Sequence, residues 1–138
     1  MSALGRIARE FLISQTGYAA AIPGGIHPDI APVGSQMPYC VYVGVSKLPV
    51  GVLTGSVLCH TERLQFTVAA MTRSEAQTAA KWIGDRFRAS PGRQSVGTAT
   101  IFQWNIEDET ASAEPIGDGS DEAVRTVDVD LIATYKEA

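Results

Sequence analysis

Two histidines and two cysteines are all that 138 residues offer to a metal centre or a thiol nucleophile, and neither type occurs with ligand spacing. His27 sits in a proline- and glycine-rich stretch, Cys40 opens a valine-rich run, and Cys59-His60 stand together ahead of another apolar run. Four ligands could be gathered from these positions, but a buried thiol and surface imidazoles account for them better than a zinc site does. Two thiols without a secretory signal read as reduced. If the chain reverses near Val52 or Leu53, Cys40 lies opposite a residue near Thr67 and Cys59 lies about eight positions further on. At about 3.3 Å per residue that is several times too far for a disulfide.

Bases are also scarce. Eleven Lys and Arg against fifteen Asp and Glu give a formal charge of −4 and a pI near 5.1, whereas proteins that grip a duplex through its phosphates usually carry a dominant basic stripe. No apolar run reaches the roughly eighteen residues of a membrane-spanning helix. Arg6, Arg9 and Glu10 interrupt the place where the apolar core of a signal peptide would sit, so the expectation is a chain assembled in the cytoplasm without a membrane. The length suits one core and hence one domain over residues 1–138.

What the chain does have is periodicity. Over residues 63–70, Leu64, Phe66, Val68 and Ala70 alternate with Arg63, Gln65, Thr67 and Ala69, the pattern of a strand with one wet face. Thr72-Arg73-Ser74-Glu75 then forms a capping box, which starts a helix whose stripe is Ala76, Ala79, Ala80, Ile83 and Phe87. Trp82 points off that stripe, and Ser90-Pro91-Gly92 ends the helix.

An earlier amphipathic helix is predicted over residues 2–15 from Leu4, Ile7, Ala8, Phe11 and Leu12, with Gly17 placed for a left-handed cap. Residues 21–38 hold too many prolines and glycines for a regular element and read as an ordered loop. Strands are predicted over 39–47, where Val41, Val43 and Val45 alternate with Cys40, Tyr42 and Gly44, over 97–106, where Phe102, Trp104 and Ile106 share a face, and over 123–135. Residues 48–59 read as a long apolar hairpin turn. Residues 107–122 carry seven acids and no base, which reads as a segment that is mobile or held by a partner. The order α-β-β-α-β-β predicts an α+β domain: an antiparallel four-stranded sheet with two helices on one face.

The remaining candidates for chemistry are weak. Asp128 and Asp130 point to one side of a strand and could mimic an acid-base pair, although alternation on a wet face explains them as well. The run from Gly117-Asp118-Gly119 to Ser120-Asp121-Glu122 lacks the acid spacing of a calcium loop, and neither Gly24-Gly25 nor residues 51–55 form a phosphate loop. No catalytic, cofactor or metal site is predicted, and an enzyme is not expected. Two features point to contact between chains instead. Val50, Val52, Leu53, Val57 and Leu58 make the predicted turn too apolar to be freely solvated. Arg73, Lys81, Arg86 and Arg88 on the second helix could answer Glu107, Asp108, Glu109, Asp118 and Asp121 of a neighbouring copy.

With these residues laid out, the chain resembles the tail completion and tail terminator proteins of long-tailed bacteriophages, including the tail-to-head joining type. The likeness lies in Met37-Pro38-Tyr39 before the first strand, Leu53-Thr54-Gly55 in the hairpin, Arg63-Leu64-Gln65-Phe66-Thr67-Val68 leading into Thr72-Arg73-Ser74-Glu75-Ala76, and a last strand closing at Tyr135. It covers most of the chain and carries no active-site residue. The resemblance implies a virion protein, an α+β subunit of a ring, usually a hexamer. Such a ring stops polymerisation of the tail tube protein, meets the head connector or adaptor protein and passes DNA through its lumen without specific binding. The acidic segment 107–122 departs from the lean pattern. The alternatives are a head-tail adaptor or, from another class, a small ferredoxin-like enzyme or ligand-binding domain with a pocket of Tyr42, Trp104 and Asp128 or Asp130.

Overall fold

The computed structural model describes residues 3–32, 34, 36–51, 57–90, 92–115 and 123–137. In chain order the elements are α1 (Ala3–Ile13), α2 (Tyr18–Ala21), β1 (Ile26–Pro28), β2 (Tyr39–Gly51), β3 (Val57–Ala70), α3 (Arg73–Arg88), β4 (Gln94–Val96), β5 (Ala99–Pro115) and β6 (Ala123–Glu137). The strands form one sheet in the order β1-β2-β3-β6-β5-β4, curled as a half-barrel. β1 runs parallel to β2 and every other pairing is antiparallel.

This corrects the predicted four-stranded antiparallel sheet and its α-β-β-α-β-β order. The sheet is mixed and has six strands, because two short ones escaped the periodicity. β1 lies in the proline-glycine stretch read as a loop, and its Pro28 is tolerated because an edge strand needs few backbone donors. β4 is three residues long, too short to show a period. Two other boundaries move. The expected turn over 48–59 is largely strand, since β2 runs to Gly51 and β3 begins at Val57. The acidic stretch expected to be mobile or partner-held is strand as far as Pro115, where it pairs with Ala123. Cross-strand pairing overrides the weak strand preference of its acids.

α1 and α3 cover one face of the sheet. The stripe Ala76, Ala79, Ala80, Ile83 and Phe87 is fully buried, as are Leu4, Ile7, Ala8, Phe11 and Leu12 of α1. They meet Leu64, Phe66, Val68 and Ala70 of β3 and Val127, Val129, Leu131, Ala133 and Tyr135 of β6 in a single core. The Thr72 hydroxyl accepts from the Glu75 amide at 3.2 Å, one half of the capping box.

Bulges decide which residues face that core. In β5 the register against β6 shifts between Ile101 and Gln103, so Ile101 and Trp104 are both buried while Phe102 is only half-buried under the Arg93 guanidinium. The expected face of Phe102, Trp104 and Ile106 is therefore broken at its first member. In β2 the inward residues are Cys40 and Tyr42, and Val43 and Val45 are exposed.

Gly5 explains itself by distance. A Cβ there would fall on the ring carbons of Tyr42, which is buried and packed edge-on to Phe66. The glycine that costs α1 helix propensity lets the helix lie against β2. Gly17 has the predicted left-handed backbone, at φ 89°, but it joins α1 to α2.

Gly5→Ala should therefore destabilise the protein in urea melts, although the same change on an exposed helix face would add about 1 kcal/mol of stability. Phe87→Ala should cost about 3–5 kcal/mol in the same measurement, and Thr72→Ala about 1 kcal/mol.

Candidate functional site

The face of the sheet turned away from the helices is polar and internally bonded. Thr61 of β3 meets Thr134 of β6 at 3.1 Å, the Gln65 amide donates to Asp130 at 3.3 Å, and the Thr67 hydroxyl donates to Asp128 at 2.7 Å. These are cross-strand neighbours brought together by register, Thr61 opposite Thr134, Gln65 opposite Asp130 and Thr67 opposite Asp128. Arg63 on the same face bonds Glu107 of β5.

Register also sets Asp108 directly opposite Asp130, a like-charge pair that would be unfavourable if left bare. Both carboxylates have donors. Asp108 accepts from the Glu109 amide at 2.9 Å and the Thr110 hydroxyl at 3.3 Å, and Asp130 accepts from Gln65. Asp128 and Asp130 thus act as acceptors in a surface ladder.

The pocket expected for a ligand-binding domain does not assemble. Tyr42 and Trp104 are buried on the helix-covered side, with the Trp104 indole N–H donating to the Ser90 carbonyl at 2.6 Å, while the two aspartates lie on the opposite face. A shallow depression of about 490 Å³ on the open face is bounded by Thr61, Gln103, Trp104, Asn105, Ile132, Ala133 and Thr134, none of them ionisable.

Two bases of α3 find acidic partners inside the subunit. Lys81 reaches Asp85 one turn on at 2.7 Å, and Arg88 bonds Glu109 of β5 at 2.7 Å and approaches Asp85 at 3.5 Å. The hydrogen bond from Lys81 holds the Asp85 carboxyl below its ordinary value. These pairs are exposed, and each is worth at most about 1 kcal/mol. Arg86 lies against the Trp82 ring at 6.0 Å, and Arg73 is exposed in the first turn. Of the apolar hairpin residues, Val50, Val57 and Leu58 lie on β2 and β3 with side chains outside the described part, and Val52 and Leu53 lie outside the described residues altogether. Asp118 and Asp121 do too.

Among the described residues, no three His, Cys, Asp or Glu side chains converge as metal ligands. His27 faces the Gly24 carbonyl at 2.7 Å, and His60 lies 6.0 Å from the Tyr135 ring. In the first half of β3, Glu62 is only 3% exposed and accepts from the Tyr135 hydroxyl at 2.8 Å. The alternation of residues 63–70 extends one step back to Glu62, so its inward position was readable, but its tyrosine partner 73 positions away was not.

The feature that sequence reading missed altogether is the sheet's margin. On β2, Val43, Val45 and Leu48 are 43%, 56% and 65% exposed. β1 flanks only the first part of β2, and β4 only the first part of β5.

Comparison with solved structures finds a chain of the virion of a native gene transfer agent particle. The two superpose with a TM-score of 0.72 at 16% identity, over 99% of this chain and 96% of that one. The likeness is one of fold. No protein-family model and no curated protein matches the sequence. The shared fold is the whole curled sheet with its helices, since the matched region spans nearly all of both chains.

The two thiols give a direct check on the geometry. Cys40 faces Val68 and is fully buried, which pushes its thiol pKa up, while Cys59 faces Val50 near the other end of the ladder and is half-buried. Alkylation of the native protein at mildly alkaline pH, followed by mass spectrometry, should modify Cys59 first. Cys40 should react only at the rate at which the sheet opens.

Proposed function

We propose that this chain is a structural subunit of a phage-like virion, forming a ring at the head-proximal end of a tail. The observation that carries this reading is the end-to-end likeness of fold to a virion chain of the gene transfer agent particle. Mutual coverage near completeness leaves little of either chain outside the common architecture. In this reading the ring ends the tail tube and presents its other side to the head connector, as the resemblance to tail terminators implies. A ring of six is the expected copy number, and a neighbouring head-tail adaptor is the alternative position.

The surface chemistry suits such a part. The open face is already hydrogen-bonded to itself through the Thr61, Gln65 and Thr67 ladders, so it has little unmet polar demand to grip passing DNA. A net charge of −4, repeated around a ring, also disfavours a phosphate backbone.

The apolar hairpin residues Val50, Val52, Leu53, Val57 and Leu58 are proposed to bury themselves against an adjacent subunit or the last tube ring. Particles made without this chain should show headless tails with overlong tubes by electron microscopy, and the wild-type chain should restore joined particles. Val52→Asp with Leu53→Asp should leave the melting curve of the subunit unchanged and fail to restore them. The loss is about 1.5–3 kcal/mol per buried side chain before any cost of desolvating charge. Normal joined particles in the absence of the chain would overturn the reading.

A further inference from the structure

Among the described residues, both long margins of the sheet have few strand partners. β1 pairs with β2 only at Cys40, Val41 and Tyr42, and β4 pairs with β5 only at Ala99, Thr100 and Ile101. Among the described residues, 43–51 of β2 and 102–115 of β5 therefore have a strand neighbour on one side only. Such edges present rows of backbone N–H and C=O groups ready to accept another strand, and a half-barrel leaves them at its two rims.

The two edges differ in a way that selects their partner. The β5 edge carries Glu107, Asp108 and Glu109; Glu107 and Glu109 are paired within the chain to Arg63 and Arg88, and Asp108 leaves the edge net acidic, so two β5 edges placed together would bring like charges into contact. The β2 edge has no acid in residues 43–51; it carries Lys47 and the exposed Val43, Val45 and Leu48. Lys47 lies on the helix-covered side, against the Tyr135 ring at 5.9 Å, and Glu109 is on that side too, bonded to Arg88 of α3. Pairing β2 with a second β2 would bring like charges together and end at a dimer with both β5 edges still bare. Direction agrees with charge. Three successive antiparallel pairings, β2 to β3, β3 to β6 and β6 to β5, leave β2 and β5 antiparallel, so copies placed side by side can continue the same ladder pattern.

We propose that the free edge of β2 in one copy pairs with the free edge of β5 in the next. This head-to-tail contact extends the sheet from subunit to subunit, and the rotation between successive copies closes it into a ring. The proposal names the subunit contact of the ring in the reading above and rests on that reading for the ring alone.

Cysteine placement tests it on the full chain in a Cys59→Ser background, with the buried Cys40 retained. Val43 lies opposite Gln65 on the open face, and Gln103, Asn105, Asp108 and Thr110 lie opposite open-face residues of β6. A preparation of Val43→Cys is mixed with Gln103→Cys, Asn105→Cys, Asp108→Cys or Thr110→Cys and oxidised, after circular dichroism has shown each variant folded. At least one mixture should shift the monomer to a product of twice the mass that contains one of each chain by mass spectrometry. Val43→Cys alone should not. Placing both cysteines of that pair in one chain should give a ladder of covalent oligomers whose top rung is the ring. A Val43→Cys homodimer, or no mixed product with any partner, would overturn the edge pairing. A mixed product together with normal joined particles in the absence of the chain would leave the edge pairing standing and overturn the virion role.

Discussion

The contact on which this fold depends is the one made by Phe87 at the last turn of α3. Its ring lies 5.3 Å from Phe11 of α1, 5.8 Å from Phe66 of β3 and 4.8 Å from Trp104 of β5, so one buried side chain ties both long helices to the middle and the far side of the sheet. Phe11 and Trp104 also meet edge-on at 4.6 Å, closing the cluster. The alanines at 76, 79 and 80 are the other half of this arrangement, because small residues let the helix axis approach closely enough for the aromatic at its end to reach across. With the helices fixed on one side, most of the polar residues in the middle of the strands face the other, and Glu62 stays inward with the Tyr135 hydroxyl as its donor.

That division explains why the open face bonds to itself. Register, not sequence proximity, places Gln65 beside Asp130 and Thr67 beside Asp128, each more than sixty positions apart. The bulges in β2 and β5 bend the strands and set which residues turn inward after them. The same bends curl the sheet, and a curled sheet without closure within the chain leaves two rims. Fold and exposed strand edges are in this sense one consequence of where the bulges fall.

Local pattern in the sequence was enough for the inward face of β3, the buried stripe of α3, the Thr72 cap and the face of α1. Each depends on neighbours within a few residues. Sheet membership was not legible where an element is as short as β1 or β4, since three residues carry no period. The alternation of β2 left open which of its faces is inward. Cys40 and Tyr42 fill the core side, and only the placement of α1 against Tyr42 through Gly5 reveals it. The acids of β5 read as a mobile or partner-held segment because their partners, Arg63, Arg88 and the amide of Glu109 itself, come from pairings that no local pattern encodes.

These pairings also change how the charges of the chain bear on assembly. Arg88 is committed to Glu109 and Asp85, and Lys81 to Asp85, so much of the basic face of α3 is neutralised before a second copy arrives. Complementarity between α3 and an acidic neighbour would have to displace exposed bonds worth at most about 1 kcal/mol each, and it would gain little more than it lost. Backbone edges face no such exchange. Their competitor is water, and excluding it along a strand whose side chains are already apolar at Val43, Val45 and Leu48 adds apolar burial to each hydrogen bond formed. In the proposed edge pairing, charge chooses the partner edge while the main chain and the valines hold it, so the strength of that contact would lie in the sheet and only its selectivity in the acids and bases.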